Sequence, residues 1–169
     1  MEVERVSSYK YLGVHLNDSL TWGDQVDALI KKLNSRLYCL NKMASFNVRT
    51  SIMDIFYNAT ICGVWRYCLV GWGGNATGTD RDRIDSIIRK AGRVIGDPQS
   101  TVEEIYVCLL QNKLDIVWND HDHPLHCYLH DNIITRGTGR LRLPPMRTNR
   151  HRNSFIPRAI RLYNDNVSR

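Results

Sequence analysis

The stretch Trp22-Gly-Asp-Gln-Val26-Asp-Ala-Leu29-Ile-Lys-Lys-Leu33-Asn-Ser-Arg-Leu37-Tyr-Cys-Leu40-Asn-Lys-Met43 carries apolar residues at spacings of three and four. This is the period of an amphipathic α-helix, so the stretch predicts a helix of about six turns, with Thr21 as its N-cap. The same pattern predicts further helices over residues 48–70, 79–95, 100–117 and 154–163, and a short one that begins at Pro124. The helix over 48–70 is more apolar than the first and is expected to be buried. Thr79 is the expected cap of the next helix and Gly96 its expected stop, and Ser100-Thr-Val-Glu103 is the expected capping box of the helix after it. Most of the chain is therefore predicted to be α-helical.

The first sixteen residues have a different pattern, in which apolar and polar residues alternate around Val6, Tyr9 and Val14. Alternation predicts two short strands, and Ser7-Ser8 is the expected turn between them. The expected fold class is mostly α: a helical bundle with a small N-terminal β-hairpin and an Arg-rich C-terminal tail that ends in a short helix. Residues 1–132 are expected to form the helical domain, and residues 133–169 the basic linker and tail.

The positive charge is concentrated at one end of the chain. The 169 residues have a formal net charge of +6, yet residues 133–169 hold nine arginines, no lysine and a single acid, Asp165. Guanidinium groups bind phosphate in a bidentate manner and stack on bases, so this composition favours a nucleic-acid partner over a tail that is merely solvated. The predicted phosphate contacts in the tail are Arg136, Arg140, Arg142, Arg147, Arg150 and Arg152.

The cysteine count and the hydropathy pattern point to the interior of the cell. Five scattered cysteines form neither a disulfide framework nor a zinc-ribbon pattern, and we expect them to be reduced and mostly buried. The sequence contains no run of eighteen apolar residues and no signal-peptide pattern at its start. We therefore expect an intracellular chain, cytoplasmic or nuclear, that is neither secreted nor bound to a membrane.

One histidine-rich stretch, His121-Asp-His-Pro-Leu-His-Cys-Tyr-Leu-His130, raises the question of a metal site. A helix that begins at Pro124 would place the histidines opposite an apolar face of Leu125, Tyr128 and Leu129. The candidate ligands are weak because zinc sites are normally built from two spaced pairs and no second pair exists. We expect exposed histidines and no metal; the candidates are His123, His126, Cys127 and His130.

Several motifs, taken in order, resemble one family. They are Tyr9-Lys-Tyr-Leu-Gly-Val14, Leu20-Thr-Trp22 before a helix with Lys31-Lys32, Gly71-Trp-Gly-Gly-Asn75, Asp122-His-Pro-Leu125, Arg147-Thr-Asn-Arg150, Asn153-Ser-Phe-Ile-Pro157 and Ala159-Ile-Arg-Leu162. Together they resemble the C-terminal, post-palm and thumb-like region of reverse transcriptases from non-LTR retrotransposons. The resemblance covers residues 9–165, and the short Gly137-Thr-Gly-Arg140 departs from it, where a longer basic segment is expected.

The resemblance implies a fragment of an RNA-directed DNA polymerase that lacks the catalytic palm and contributes template–primer binding. In such a fragment residues 9–14 lie near the primer-holding hairpin, and Lys31, Lys32 and Arg36 of the first helix face the duplex. The implied partners are RNA or an RNA–DNA duplex and the missing palm and fingers domains. The family's Tyr-x-Asp-Asp turn is absent from this sequence, so we expect no catalytic residue and no cofactor in this chain, since magnesium would belong to the palm.

Two other functions are compatible with the same residues. One is a free-standing helical domain for protein interaction or structure, derived from a retroelement remnant and without catalytic activity, which would expose an apolar face on the first two helices. The other, ranked last, is a metal-dependent hydrolase that uses Asp120 and Asp122 beside the histidines. Two acids before a proline are more typical of a solvated turn.

Overall fold

The computed structural model describes residues 6–130 and 139–167, and it confirms the mostly α-helical fold class with an N-terminal hairpin and a C-terminal helix. None of the described helices is both long and apolar enough to cross a membrane. The elements in chain order are β1 (Ser8–Tyr11), β2 (Val14–Asn17), α1 (Gly23–Ser45), α2 (Thr50–Phe56), a π-helical turn (Tyr57–Cys62), α3 (Gly63–Trp65), α4 (Leu69–Trp72), a 3-10 turn (Gly73–Asn75), α5 (Gly78–Ile95), α6 (Val102–Asn119), α7 (His126–His130), α8 (Asn149–Arg152) and α9 (Phe155–Val167).

The hairpin turns at Leu12-Gly13, so the predicted turn at Ser7-Ser8 is wrong. Both turn residues have positive φ, 46° and 88°, as a two-residue type I′ turn requires, and glycine adopts such a φ without steric cost. Ser8 is instead paired with Asn17 in the antiparallel ladder. Strand β2 packs on α1, with Val14 buried. Strand β1 consequently forms the outer, exposed side of the hairpin.

Helix α1 buries the predicted apolar stripe, but Thr21 is not its N-cap. Trp22 occupies the cap position, and no side chain accepts a hydrogen bond there. Thr21 is held by Asn17 instead: its amide donates to Asn17 Oδ1 (2.8 Å) and its hydroxyl accepts from Asn17 Nδ2 (2.8 Å). The side chain that could have capped the helix thus fixes the connection from β2. The stripe itself is buried as expected: Val26, Leu29, Leu33, Leu37 and Leu40.

The single helix predicted over residues 48–70 is divided by the π-helical turn and by a left-handed residue, Cys68 (φ 55°). Polar side chains donate hydrogen bonds to helical carbonyl oxygens in this region. Asn58 Nδ2 donates to Asp54 O (3.0 Å), and Thr60 Oγ1 donates to Phe56 O (2.7 Å). A π turn contains more residues than an α turn, so the apolar stripes before and after it are out of phase. Ile52 and Ile55, predicted to belong to a buried helix, are exposed.

Helices α5 and α6 begin with capping boxes one or two residues away from the predicted caps. Thr77 and Asp80 form the box of α5, and Thr101 and Glu104 form that of α6. The box predicted for α6, between Ser100 and Glu103, is therefore displaced by one residue. This displacement leaves the Glu103 carboxylate to pair with Arg81 and with Arg158 (2.8 Å to the latter). Helix α5 ends at Gly96, as predicted.

The C-terminal segment shares the core of the helices before it. Leu141 is buried, and its amide and carbonyl both bond to the Asn164 side chain, at 2.8 and 2.9 Å. Ala159 and Ile160 of α9 belong to the same apolar cluster as α1, α5 and α6. Residues 139–167 therefore pack on the bundle, while the predicted boundary after residue 132 lies in residues 131–138, outside the part that the structure describes.

The cysteines are reduced but mostly exposed, so the expectation that most are buried is wrong. All five are free thiols, and only Cys62 is buried. Burial raises the pKa of the Cys62 thiol, and burial likewise raises the pKa of the neighbouring Tyr57 hydroxyl above its ordinary value. Both groups are held in their neutral forms in the core, where they act as packing groups.

The 3-10 turn lies in tight contact with both α6 and the C-terminal segment. A Cβ atom on Gly74 would overlap the carbonyl oxygen of Asn153 and come within 2.6 Å of Tyr106 Oη. A Cβ on Gly71, three residues earlier, would meet nothing within 4 Å. Only a glycine at position 74 allows the segment after α8 to cross this turn.

We predict that Gly74→Ala lowers the free energy of unfolding by about 1–3 kcal/mol, because the new methyl group forces backbone apart. Urea denaturation followed by circular dichroism measures the change. The matched control is Gly71→Ala, which should leave the stability unchanged or raise it by up to about 1 kcal/mol, as expected for alanine in place of a helical glycine. Equal stability of the two variants would contradict the close approach of the C-terminal segment to the backbone of Gly74.

Candidate nucleic-acid interface

Two of the basic residues predicted on α1 face solvent. Lys31 and Lys32 are exposed on consecutive positions of the helix. Lys32 lines a groove of about 290 Å³ together with the hairpin turn Leu12-Gly13 and Tyr67. The tip of the hairpin and the basic face of α1 therefore lie next to each other.

The third predicted residue on α1, Arg36, is half-buried and bound within the protein. Its Nη1 donates to the carbonyl oxygen of Thr60 at 2.6 Å, on the π-helical turn. That bond joins α1 to the irregular part of the second helical segment. Its guanidinium group therefore contributes to the stability of the fold.

The predicted arginines of the C-terminal segment that the structure describes are all exposed, but they differ in their contacts. Arg150 Nη2 donates to the carbonyl oxygen of Ser19 (2.6 Å), and Arg150 O accepts from Asn75 Nδ2 (3.3 Å). Arg150 therefore joins the C-terminal segment to the connection before α1. Arg136 lies outside the described residues; the exposed arginines are Arg140, Arg142, Arg147, Arg150 and Arg152.

The ion pairs found among residues 6–130 and 139–167 involve other arginines. Arg81 and Arg158 share Glu103, and Arg83 pairs with Asp27 and Asp80. None of these pairs includes an arginine that was predicted to bind phosphate. The acids in these pairs thus neutralise structural arginines, whereas Arg142, Arg147, Arg150 and Arg152 make no ion pair within the described residues.

The resemblance placed residues 9–14 near a primer-holding hairpin, but the binding residues predicted from the sequence did not include the side chains of this hairpin. Tyr9, Tyr11 and Leu12 of the hairpin are 61%, 58% and 72% exposed, with Lys10 between the two tyrosines. Tyr67 is also exposed, and its hydroxyl donates to Leu12 O (2.8 Å), which fixes the turn. Exposed aromatic rings with interleaved basic residues are typical of surfaces that stack single-stranded bases. The alternation Tyr9-Lys-Tyr11 was a signal for this surface.

Another basic group, which is not part of the proposed interface, lies on α5 and was not named from the sequence. Arg89, Lys90 and Arg93 are exposed near the end of this helix, and no ion pair involves them in the described part of the chain. Arg89 and Arg93 line a cavity of about 420 Å³ beside the loop after Gly96. Their spacing of four residues on a predicted helix was the available signal.

All the histidines of the stretch 121–130 were expected to be exposed, and for His126 this expectation is wrong. His126 is buried, with Nδ1 3.1 Å from Val117 O and Nε2 3.1 Å from Nδ1 of His121. Helix α7 begins at His126 and not at Pro124, its inward face carries His126 and Leu129, and Tyr128 is exposed.

The three candidate metal ligands whose side chains the structure describes, His123, His126 and Cys127, do not form one group. Cys127 is exposed, His123 Nδ1 accepts from the Leu125 amide (3.1 Å), and the side chain of His130 lies outside the described part. Within residues that the structure describes, no three His, Cys, Asp or Glu side chains form a group that could hold a metal ion. Asp120 Oδ1 accepts from the Asp122 amide (3.1 Å), so one of these two acids forms a local turn.

No family model, curated protein or solved structure matches this chain.

We predict that Arg36→Ala lowers the free energy of unfolding by about 1–2 kcal/mol, because it removes a hydrogen bond from a charged donor and leaves the Thr60 carbonyl without that partner. Lys32→Ala, on the exposed face of the same helix, should change stability by less than about 0.5 kcal/mol. Thermal and urea unfolding of both variants would measure the difference. An Arg36→Ala protein with an unchanged free energy of unfolding would show that this hydrogen bond does not contribute to stability.

Proposed function

We propose that this chain is the post-palm, thumb-like part of a non-LTR retrotransposon reverse transcriptase and that it binds the template–primer. The proposal rests first on the resemblance of the ordered motifs described above, which covers residues 9–165. It assigns no catalytic residue to the chain, because the Tyr-x-Asp-Asp turn that holds magnesium in the family is not in this sequence. The chain would contribute binding, and a palm would contribute the chemistry.

The observation that supports binding most directly is that three arginines of the C-terminal segment are exposed and form no ion pair within the described residues. Arg142, Arg147 and Arg152 are exposed, and no ion pair or hydrogen bond of their side chains occurs in the described regions. A folded segment that packs on the bundle and yet keeps cationic groups unpaired has the electrostatic footprint of a phosphate-binding surface. This argues against a tail that is only a solvated, disordered extension.

The hairpin supplies the other half of the proposed interface. Tyr9 and Tyr11 offer exposed aromatic rings, Lys10 lies between them on the strand, and Lys32 lines the groove beside the hairpin turn Leu12-Gly13. Stacking on aromatic rings is tolerant of base sequence and suits a protein that must accept any template. Lys31, Lys32 and the C-terminal arginines would hold the backbone, whereas the tyrosines would contact bases or sugars.

We predict that the combined variant Arg142→Ala, Arg147→Ala and Arg152→Ala weakens binding to an RNA–DNA duplex with an RNA overhang by about tenfold or more at low salt. The log–log slope of affinity against salt should fall by about 2–3, since each lost phosphate contact removes about one counterion. Fluorescence anisotropy over a series of salt concentrations measures both quantities.

The matched control for this variant removes the same charge elsewhere, through Arg89→Ala, Lys90→Ala and Arg93→Ala on α5. If the C-terminal segment is the binding surface, this control should retain most of the affinity and slope. An equal loss in both variants would show that only net charge matters. Binding that does not depend on salt would also contradict the proposal.

A second candidate function, a free-standing helical interaction domain, is favoured by an apolar surface on the first two helices. Tyr38, about two turns before the end of α1, is 62% exposed, and Phe46, just after α1, is 79% exposed. Ile52 and Ile55 of α2 are 49% and 67% exposed. Exposed apolar patches mark protein contact sites. Under the first proposal, this surface would pack on the palm or a neighbouring domain.

We predict for the second candidate that the chain forms a dimer in solution and that Phe46→Ser with Ile55→Ser makes it monomeric, because the shared apolar surface is lost. Sedimentation velocity measures the state of both proteins. Ile116→Ser, at another exposed apolar position on α6, should leave the dimer intact. A monomeric parent chain that binds the RNA–DNA duplex would exclude this candidate.

A further inference from the structure

Two histidine rings face each other where α6 meets α7. Nδ1 of His121 and Nε2 of His126 are 3.1 Å apart, and the rings meet edge to face with centroids at 4.6 Å. One nitrogen must donate a proton to the other for a hydrogen bond to form between them. The pair therefore holds a single exchangeable proton between two imidazole nitrogens.

The orientation of His126 is fixed by the protein. Its ring is buried, with 7% of the residue exposed, and Nδ1 lies 3.1 Å from the carbonyl oxygen of Val117. A carbonyl oxygen only accepts, so Nδ1 carries the hydrogen and Nε2 presents its lone pair toward His121. Histidines that bind metal are commonly oriented in this way, by donation of the other ring N–H to a backbone carbonyl.

The spacing of the two nitrogens suits a shared ion. Zinc binds imidazole nitrogen at about 2.0–2.1 Å in tetrahedral geometry, which places two such nitrogens about 3.3 Å apart. Opening the present gap by a few tenths of an ångström would accommodate the ion. His121 is exposed, so its side chain is free of the packing that restrains His126.

We propose that His121 Nδ1 and His126 Nε2 bind one divalent transition-metal ion that prefers imidazole, with zinc as the test ion. Binding requires the shared hydrogen to leave Nδ1 of His121; through exchange with solvent a proton is bound at Nε2 of the same ring, so both rings bind the ion as neutral imidazoles and no net proton is released. The described residues bring no third His, Cys, Asp or Glu to the pair, so within that part of the chain the proposed site has two protein ligands. Such an open site exchanges its ion more readily than a structural site with four protein ligands.

The site would connect the end of α6 to α7. His126 reaches back to Val117 in the last turns of α6, and His121 lies in the loop between the two helices. An ion between the rings would therefore clamp the loop to the start of α7. The chemical preference for zinc or copper over magnesium follows from the nitrogen ligands.

Titration calorimetry with Zn²⁺ on the untagged full chain tests the proposal, with His121→Ala as the variant and His151→Ala as the matched control. Both histidines are exposed, so neither substitution should disturb the core. We expect one saturable equivalent of zinc in the parent chain and in His151→Ala. We expect His121→Ala to weaken binding at least tenfold.

Imidazole resonances in long-range ¹H–¹⁵N spectra provide a second readout that folding effects would not mimic. Zinc should shift the signals of His121 and His126 and leave those of His15 unchanged. The proposal is overturned by an absence of saturable binding, by equal affinity in the parent chain and in His121→Ala, or by zinc shifts that omit the His121–His126 pair.

Discussion

The close approach of the Gly74 backbone to Asn153 and Tyr106 is the contact on which the arrangement of the chain depends. At this point the turn after α4, helix α6 and the C-terminal segment meet with no room for a side chain. Trp72 is buried just before the turn, and its Nε1 donates to Tyr67 O (3.0 Å), which holds the turn in place. The Gly-Trp-Gly-Gly-Asn motif thus has a packing function of its own, and any function attributed to the motif must be consistent with that role.

Sequence patterns predicted the elements that are determined locally. The stripe of α1 and the glycine stop of α5 follow from spacing and from backbone preference within a few residues, and both were found. The turn of the hairpin and the cap of α1 were missed because, in each case, two residues or two hydrogen-bond partners compete for the same position. Asn17 binds Thr21, and Gly13 accepts a positive φ more readily than a serine does. The break in the second helix likewise depends on side chains that bond to helical carbonyls.

The candidate interface could be predicted only as a set of charges. Composition identified the arginine-rich segment. Nothing in the spacing distinguishes Arg150, whose side chain bonds to Ser19, from Arg152, which is also exposed but makes no side-chain hydrogen bond within the described residues. Arg36 and His126 acquire structural partners from elements distant in sequence or beyond the next turn. The aromatic face of the hairpin becomes a surface only because β2 takes the inner position against α1. These distinctions are tertiary, and local sequence carries little information about them.

The bonds that the C-terminal segment forms with earlier parts of the chain have a consequence for its synthesis. Arg150 reaches Ser19 across 131 positions, and Arg158 reaches Glu103 across 55. A ribosome adds about 5–20 residues per second, so α1 to α6 emerge seconds before the residues that cover them. During that interval the sites that later receive Leu141, Ala159 and Ile160 are open to water and to other nascent chains. Folding is completed late, and a ribosome that stops before α9 releases a bundle with an uncovered core.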